Sequence, residues 1–399
     1  MKILMLTTIY PSPDVNLLNS TNVCHYFAKE WVKEGHEVKV IFNYPIYTPV
    51  LHKIAKIFEK KIASIGSAYV TTQRITEDER YNMDGVIIDR FPLYKFLPRI
   101  KVRKKNIDKQ IDKIVKSNEK DAFVPNVITA HFYYPHIEIV SRLKQLYQAK
   151  SCVVVHKQGL KLEKYYKKNY LQLLSSVDVW GYRSAPLKVE FETRYGEQKN
   201  SFMCYSGIPE NYIEKELSNK IFNQTIEKFV YVGSLISRKS PDSLIHALNK
   251  VYSSDNFTLQ FIGTGIMKDS LEQISKKYNN KNVIFEGQKE RAEVQNILKD
   301  SECFIMISKD ETFGLVYLEA MSKGCITIAS KKEGMDGIIE NGVNGFLCEA
   351  GNSNELAELM RHINTLSIEQ KQLISKNAKN TAFNLTDKKV ALLYLDNLL

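Results

Sequence analysis

The chain has no run approaching the 18 or more apolar residues that a membrane-crossing helix needs, so no spanning helix is expected. Its six cysteines (Cys24, Cys152, Cys204, Cys303, Cys325, Cys348) include no C-x-x-C pair. That spacing argues against a zinc or dithiol motif and for buried free thiols in a reducing cytoplasm. The opening Met-Lys-Ile-Leu-Met-Leu-Thr-Thr has only a short apolar run before polar residues and prolines, and reads as a first strand rather than a signal peptide. Basic residues are plentiful, but they lack aromatic interleaving and any nucleic-acid-binding module, so no nucleic-acid partner is expected.

What is present fits a soluble globular protein, with 44% apolar and 25% charged residues. A length of 399 residues exceeds one ordinary core and suggests two domains of roughly 200 residues each. Charge is unevenly spread. Residues 1–205 hold 33 Lys and Arg against 20 Asp and Glu, a net +13, while the remainder holds 23 against 25, a net −2. Much of the excess lies between Lys95 and Lys116, with a second cluster from Lys157 to Lys168. Such a surface suits an anionic partner, such as an acidic lipid surface or a lipid diphosphate, or else serves as a solubilising face.

Strand and helix signals alternate almost throughout, the pattern of an α/β protein with parallel sheets. Strands are expected at 3–7, 37–42, 127–130, 152–155 and 202–205, then at 229–232, 258–262, 283–285, 303–307 and 326–329. Residues 211–225 are polar and patternless, as in a linker, and 44–120 forms the irregular part of the first domain. Within it, His52 to Ile65 has an amphipathic helical pattern with lysines on one side, which suits a membrane-surface helix or a packed one. Two doubly wound domains facing across a cleft follow, with ligands expected at the carboxyl ends of strands.

The most informative segment is Glu311-Thr-Phe-Gly-Leu-Val-Tyr-Leu-Glu319. Glu311 follows an apolar strand, and a helix is expected from Leu315 to Met321. Backbone amides at that helix start, beside Gly314, form an anion site. Glu311 and Glu319, separated by roughly 7 Å of helix rise, would grip hydroxyls at opposite ends of one nucleotide sugar. This arrangement resembles the E-x7-E motif of retaining, family-4-type glycosyltransferases of group 1 with the GT-B fold, in the branch serving bacterial surface polysaccharides. The resemblance implies that Glu311 binds the transferred sugar and acts in catalysis, that Glu319 binds the ribose, and that Thr312, Phe313, Gly314 and Leu315 surround the donor.

Other segments extend the resemblance over most of the chain. Phe229-Val-Tyr-Val-Gly-Ser-Leu-Ile-Ser-Arg-Lys-Ser-Pro resembles the family's V-G-R-L-x-x-x-K-G loop, with Lys239 matching the diphosphate-binding lysine. Ser234 stands where arginine is usual, and adjacent Arg238 is the candidate substitute; Gly233 completes the loop. Ser240-Pro241 fits an N-cap and first helical position. Gly263 lies in a turn resembling the family's G-x-G, and Val283 to Gly287 resembles its V-x-F-x-G segment beside the nucleotide base, which makes the following Gln288 a candidate to read that base. Asn341 and Asn344 are turn formers in the glycine-rich stretch 332–346.

In the first domain, Ala130-His131-Phe-Tyr-Tyr-Pro135 resembles the family's A-H-F-x-x-P run, which implies that His131 lies near the reacting centre. Val153 to Gly159 is similar to V-x-H-G-x-D with the glycine displaced, making His156 and Lys157 candidates for acceptor binding. The first loop, Tyr10 to Thr21, lacks the glycine pair common in relatives, and Asn19-Ser20 is the candidate turn there. No D-x-D triplet occurs, so a Mg²⁺ or Mn²⁺ bridge to the diphosphate lacks its ligands, and no metal or cofactor is expected.

The resemblance thus implies a metal-independent, retaining transferase with two Rossmann-like domains. Residues 1–208 would bind the acceptor, 209–380 the nucleotide sugar, and 381–399 would form a helix returning to the first domain. The donor is expected to be a UDP-linked hexose or N-acetylhexosamine. The acceptor would be a glycan or lipid-linked glycan at the cytoplasmic face of the membrane. The rival enzyme is a GT-B-fold nucleotide-sugar epimerase, and the rival from another class is a nucleic-acid-binding protein using the basic first half as a phosphate-binding surface.

Overall fold

The computed structural model describes residues 1–14, 22–57, 73–98, 100–157, 161–213, 220–253 and 256–399. The chain divides into two compact units, each built on its own sheet. The first comprises Met1–Arg183, Phe191–Cys204 and Val390–Leu399, and the second Ser184–Glu190 and Tyr205–Lys389. The division falls at 205 rather than 209, and 381–389 lies with the second unit.

In the first unit β1 (Lys2–Thr7), β2 (Glu37–Ile46), β3 (Glu79–Met83), β4 (Val86–Tyr94), β5 (Val127–His131), β6 (Lys150–Val155), β7 (Val179–Tyr182) and β8 (Ser201–Met203) form one sheet. Their order is β3-β4-β2-β1-β5-β6-β7-β8. Every neighbouring pair is parallel except the β3–β4 hairpin. Residues Ile3 to Leu6 are wholly buried, which explains the unbroken apolar run of a strand covered on both faces. Tyr394, from the helix Asp387–Leu398, lies edge-on to Phe27 and Trp31 and hydrogen-bonds Thr129 of β5. Trp31 Nε1 donates to Ala391 O at 2.9 Å.

The reading of 44–120 as irregular is corrected. It holds β3, β4 and the helix Lys104–Lys120. Asp84 and Gly85, at φ +51° and +81°, form the two-residue turn joining β3 to β4. Two ionic side chains interrupt the apolar pattern of β4 yet are buried. Asp89 accepts from Arg80 Nε at 2.6 Å, and Arg90 pairs with Asp14 at 2.5 Å and with Glu79. Of the expected helix from His52 to Ile65, the described part is Pro49–Ile57; 58–65 lies outside the described residues.

The second unit holds β9 (Lys228–Val232), β10 (Thr258–Ile262), β11 (Val283–Gly287), β12 (Cys303–Ile305), β13 (Ile326–Ser330) and β14 (Phe346–Cys348). Their order is β11-β10-β9-β12-β13-β14, all parallel. The strand order reverses between β9 and β12, and ligands of such sheets bind outside the carboxyl ends of the strands at that point. The supposed linker is packed here: Phe222 is buried, and Lys220 Nζ donates to the terminal carbonyls of Leu298 and Lys299 at 3.1 and 2.6 Å. Residues 214–219 lie outside the described residues. All six cysteines are free and buried.

Candidate functional site

Three loops leave β9, β10 and β11 side by side, and glycine lets them touch. A Cβ on Gly263, at φ +132°, would stand 2.1 Å from Gly233 O, and one on Gly265 2.2 Å from Leu235 O. Amide hydrogen bonds cross the same seam, from Gly233 to Ile262 O at 2.9 Å and from Gly263 to Gly287 O at 2.7 Å. Gly263 therefore has a packing reason to be glycine, independent of any ligand.

The loop after β9 carries Arg238 and Lys239 back toward the end of β12. Arg238 Nη1 lies 3.8 Å and Lys239 Nζ 3.7 Å from Glu311 Oε2. These are ion-pair distances without a direct hydrogen bond, and Glu311 Oε2 is buried with no hydrogen-bond partner. Arg238 also donates to the carbonyls of Lys309 and Asp310, both at 3.1 Å, which braces the strand end that bears Glu311. Lys239 Nζ sits against Met306 Sδ at 3.7 Å. Burial lowers the Lys239 pKa and the Glu311 charge opposes that shift, so the ammonium is held by the carboxylate beside it.

Glu311 is itself fixed from behind. Glu333 accepts the amides of Asp310 and Glu311 at 2.9 and 2.8 Å, and Gly334 N donates to Glu311 O at 2.9 Å. A Cβ on Gly334 would lie 2.5 Å from Phe313 Cα, so the two loops press backbone to backbone. Sequence reasoning missed Glu333, whose only signal was its place at the start of the glycine-rich stretch.

Gly314, at φ +83°, caps the helix Leu315–Ser322, and the Tyr317 ring fills the space that its Cβ would take, at 2.5 Å. Tyr317 OH donates to Met306 O at 2.6 Å, tying the helix start to β12. Phe313 is buried, whereas Thr312 and Leu315 are half-buried at the helix mouth. On the next turn Glu319 accepts from Gln295 Nε2 at 3.0 Å, and burial raises its carboxyl pKa. Gln288 is exposed, and Ser234, half-buried, lends its carbonyl to Tyr231 OH at 2.8 Å. Ser240 does precede Pro241 at the helix start, but the capping expectation is corrected. In its left-handed conformation (φ +46°) the Ser240 hydroxyl makes no cap bond and donates to Ser237 O at 3.4 Å. Asn341 and Asn344 close local turns by accepting the amides of Leu347 and Glu340 at 2.9 and 2.8 Å.

The first unit brings together a different set. His131 ends β5, His156 follows β6, and His131 Nδ1 meets His156 Nε2 at 3.0 Å. His136 Nδ1 donates to the carbonyls of His131 and Phe132, each at 2.9 Å. Phe132 adopts φ +71°, unusual for an aromatic residue, and stacks on His156 with ring centroids 4.0 Å apart. Burial pushes the pKa of His131 and His156 well below the ordinary histidine value, with Arg183 adding repulsion, and lowers His136 to about 4. The cluster is therefore neutral. His131 is wholly enclosed, with Phe27, His156 and Tyr394 packed around it, and Lys157 is exposed. Asn19-Ser20 and Gly159 lie outside the described residues.

Residues 213–381, all within the second unit, match the family described as Glycosyl transferases group 1. An uncharacterized glycosyltransferase of Methanocaldococcus jannaschii is 26% identical over 209 residues, covering 48% of this chain and 58% of its own. A UDP-Gal:alpha-D-GlcNAc-diphosphoundecaprenol alpha-1,3-galactosyltransferase of Escherichia coli is 26% identical over 198 residues, 45% of this chain and 49% of its own. The chain thus spans about half the length of these curated relatives. The structure of Anabaena HepE in complex with UDP is similar over 100% of this chain and 99% of its own, with a TM-score of 0.67 and 16% identity. The fold of the chain is GT-B: an α/β architecture of two parallel-sheet domains.

Proposed function

We propose that the protein is a retaining glycosyltransferase that moves a hexose or N-acetylhexosamine from a UDP-linked donor to an oligosaccharide or lipid-linked acceptor in cell-surface polysaccharide synthesis. The observation that carries this reading is the convergence of Arg238 and Lys239 on Glu311 at the β9–β12 switch point. Two cations beside one carboxylate suit a ligand that is anionic at its diphosphate and hydroxylated at its sugar. Arg238 binds two phosphate oxygens in a fork and takes over from the arginine replaced by Ser234, while Lys239 acts as a point charge. As the anomeric C–O bond breaks, the charge arriving on the nucleotide is met by these two side chains and the amides heading the Leu315–Ser322 helix, without a metal ion. Glu311 holds the transferred sugar and Glu319 the ribose. His131 serves near the reacting centre, and His156 and Lys157 belong to the acceptor side, with both histidines acting as neutral groups.

The diphosphoundecaprenol named for the Escherichia coli relative supports a lipid-linked acceptor, and its UDP-Gal supports a uridine donor. The epimerase reading is not favoured, because the matched family and that relative are transferases.

A thermal-shift comparison of UDP, GDP and ADP tests the donor site. UDP at 100 times its dissociation constant adds about 2.7 kcal/mol of stability. Lys239→Ala and Arg238→Ala each weaken UDP binding roughly tenfold, as expected for a charge-assisted contact. If no nucleoside diphosphate stabilises the protein, the reading falls. If Arg238→Ala binds UDP normally, Arg238 serves only to brace the Glu311 strand end. The anomeric configuration of the product, read by NMR, tests retention.

A further inference from the structure

We propose that the carboxyl end of β2 and β4 forms a bilayer-docking face that inserts apolar side chains among anionic lipid headgroups. Ile46 pairs with Tyr94 at the ends of these parallel neighbours, and Lys95 N donates to Ile46 O at 2.8 Å. The helix Pro49–Ile57 and residues 95–98 therefore leave the sheet from neighbouring strand ends, and residues 100–105 follow in the chain.

The helix is anchored on one side only. His52 and Ala55 are buried, and His52 Nε2 accepts the amide of Tyr47 at 2.9 Å. Val50, Ile54 and Ile57, spaced i, i+4 and i+7 on the opposite side, are 65%, 46% and 76% exposed. Helical rotation sets exposed Lys53 and Lys56 along the flank of that stripe. The adjoining segment repeats the pattern, with Phe96, Leu97 and Ile100 exposed beside exposed Lys101, Arg103, Lys104 and Lys105.

Six exposed apolar side chains on two adjacent segments exceed the scattered exposure usual on a soluble surface. Their electrostatic setting identifies the occupant. No acidic residue occurs from 38 to 57 or from 91 to 107. An apolar stripe flanked only by lysine and arginine matches the boundary between anionic headgroups and acyl chains, where the cations meet phosphates and the apolar groups leave water. Mere solubilisation explains the charges but not the isoleucines and Phe96 among them. No helix among the described residues is long and apolar enough to cross a membrane, so docking of this kind is superficial and reversible.

The test is co-sedimentation of the full chain with vesicles of phosphatidylcholine alone or mixed with phosphatidylglycerol. Binding is expected to the mixed vesicles and to fall as salt rises. Ile54→Glu with Leu97→Glu, and separately Arg103, Lys104 and Lys105 each changed to Ser, should weaken it roughly tenfold or more. Because these positions are exposed, melting temperatures should not change. Phe96→Trp adds a reporter, since the two native tryptophans, Trp31 and Trp180, are buried. The emission of that variant should shift to the blue on mixed vesicles. Equal binding to both lipids, no binding, a Phe96→Trp emission that stays red, or a dimer in solution that Ile54→Glu dissociates would each overturn the proposal. The assay needs neither donor nor acceptor, so its failure leaves the transferase reading standing.

Discussion

The first 205 residues carry a net +13, yet the strand ends of the first unit gather neutral histidines; the remainder carries −2, yet its strand ends gather Arg238 and Lys239. Overall charge therefore does not say where a charged site lies. Desolvation and close partners decide it. Lys239 is half-buried and its pKa is lowered by desolvation, but the Glu311 carboxylate within 4 Å offsets part of the cost of leaving water. No opposite charge offsets the burial of His131 and His156 in this way; His136 and Arg183 act on them in the same direction as burial, which favours their uncharged forms. The basic excess of the first half sits instead on exposed side chains such as Arg103, Lys104 and Lys105, where it acts at long range.

The sharpest way to break this contrast is Glu311→Gln. It keeps the shape of the side chain and removes the charge that Arg238 and Lys239 share. Turnover is expected to fall at least roughly a hundredfold, or about 2.7 kcal/mol, the scale for losing a well-placed electrostatic group. The melting temperature should stay near that of the parent, since the amides held by Glu333 are untouched. Turnover within a fewfold of normal would mean that Glu311 serves the loop rather than the sugar.

A second test addresses the histidines through stability. His136 is pushed down to about 4 from an ordinary 6.5, and His131 and His156 are lowered well below 6.5. Each binds a proton more weakly folded than unfolded. The folded form therefore loses ground as pH drops below 6.5, and His136 goes on contributing to the loss until pH passes about 4. Each histidine contributes a slope of up to about 1.4 kcal/mol per pH unit, so His136 alone costs about 2 kcal/mol by pH 5. His136→Asn keeps a donor for the carbonyls of His131 and Phe132 and removes the titration. Urea unfolding at pH 7 and pH 5 should show a smaller acid loss for the variant. Equal losses would assign the acid sensitivity elsewhere.

The same contrast separates what the sequence disclosed from what it hid. Strands such as Ile3 to Leu6 and Cys303 to Ile305 were legible because burial on both faces demands unbroken apolar runs. Glu311 and Lys239 were legible because short motifs keep them at fixed distances from strand ends. The β3–β4 hairpin was not, although Asp84-Gly85 is a strong turn signal. Asp89 and Arg90 made β4 look polar, and they are neutralised by partners that folding supplies, Arg80 and Glu79 across the hairpin and Lys39 and Asp14 from other segments. β14, three residues long, was lost in a stretch whose glycines dominate its reading. Glu333 was hidden for the same reason as Asp89: its effect on Glu311 arises from folding across 22 residues.

The smallest expected effect concerns Glu319 and sharpens the comparison within one motif. Glu311 and Glu319 are both carboxylates of the second unit, but two cations face the first at ion-pair distance, whereas the second accepts from Gln295 and its burial outweighs the charges of Arg291 and Lys323. If Glu319 holds the ribose, its contact is equal in ground and transition states, because the ribose is remote from the bond that breaks. Glu319→Ala should then raise the donor KM roughly tenfold and leave kcat within a fewfold of normal. Burial also raises the Glu319 pKa above the ordinary carboxylate value, so protonation begins at a higher pH than for an exposed glutamate. A protonated carboxyl has one fewer site to accept ribose hydroxyls. Donor KM should therefore climb as pH falls toward that raised value, and Glu319→Gln, which has no proton to gain, should flatten the climb. A fall in kcat with unchanged KM would instead move Glu319 into the chemical step and erase the division of labour between the two acids.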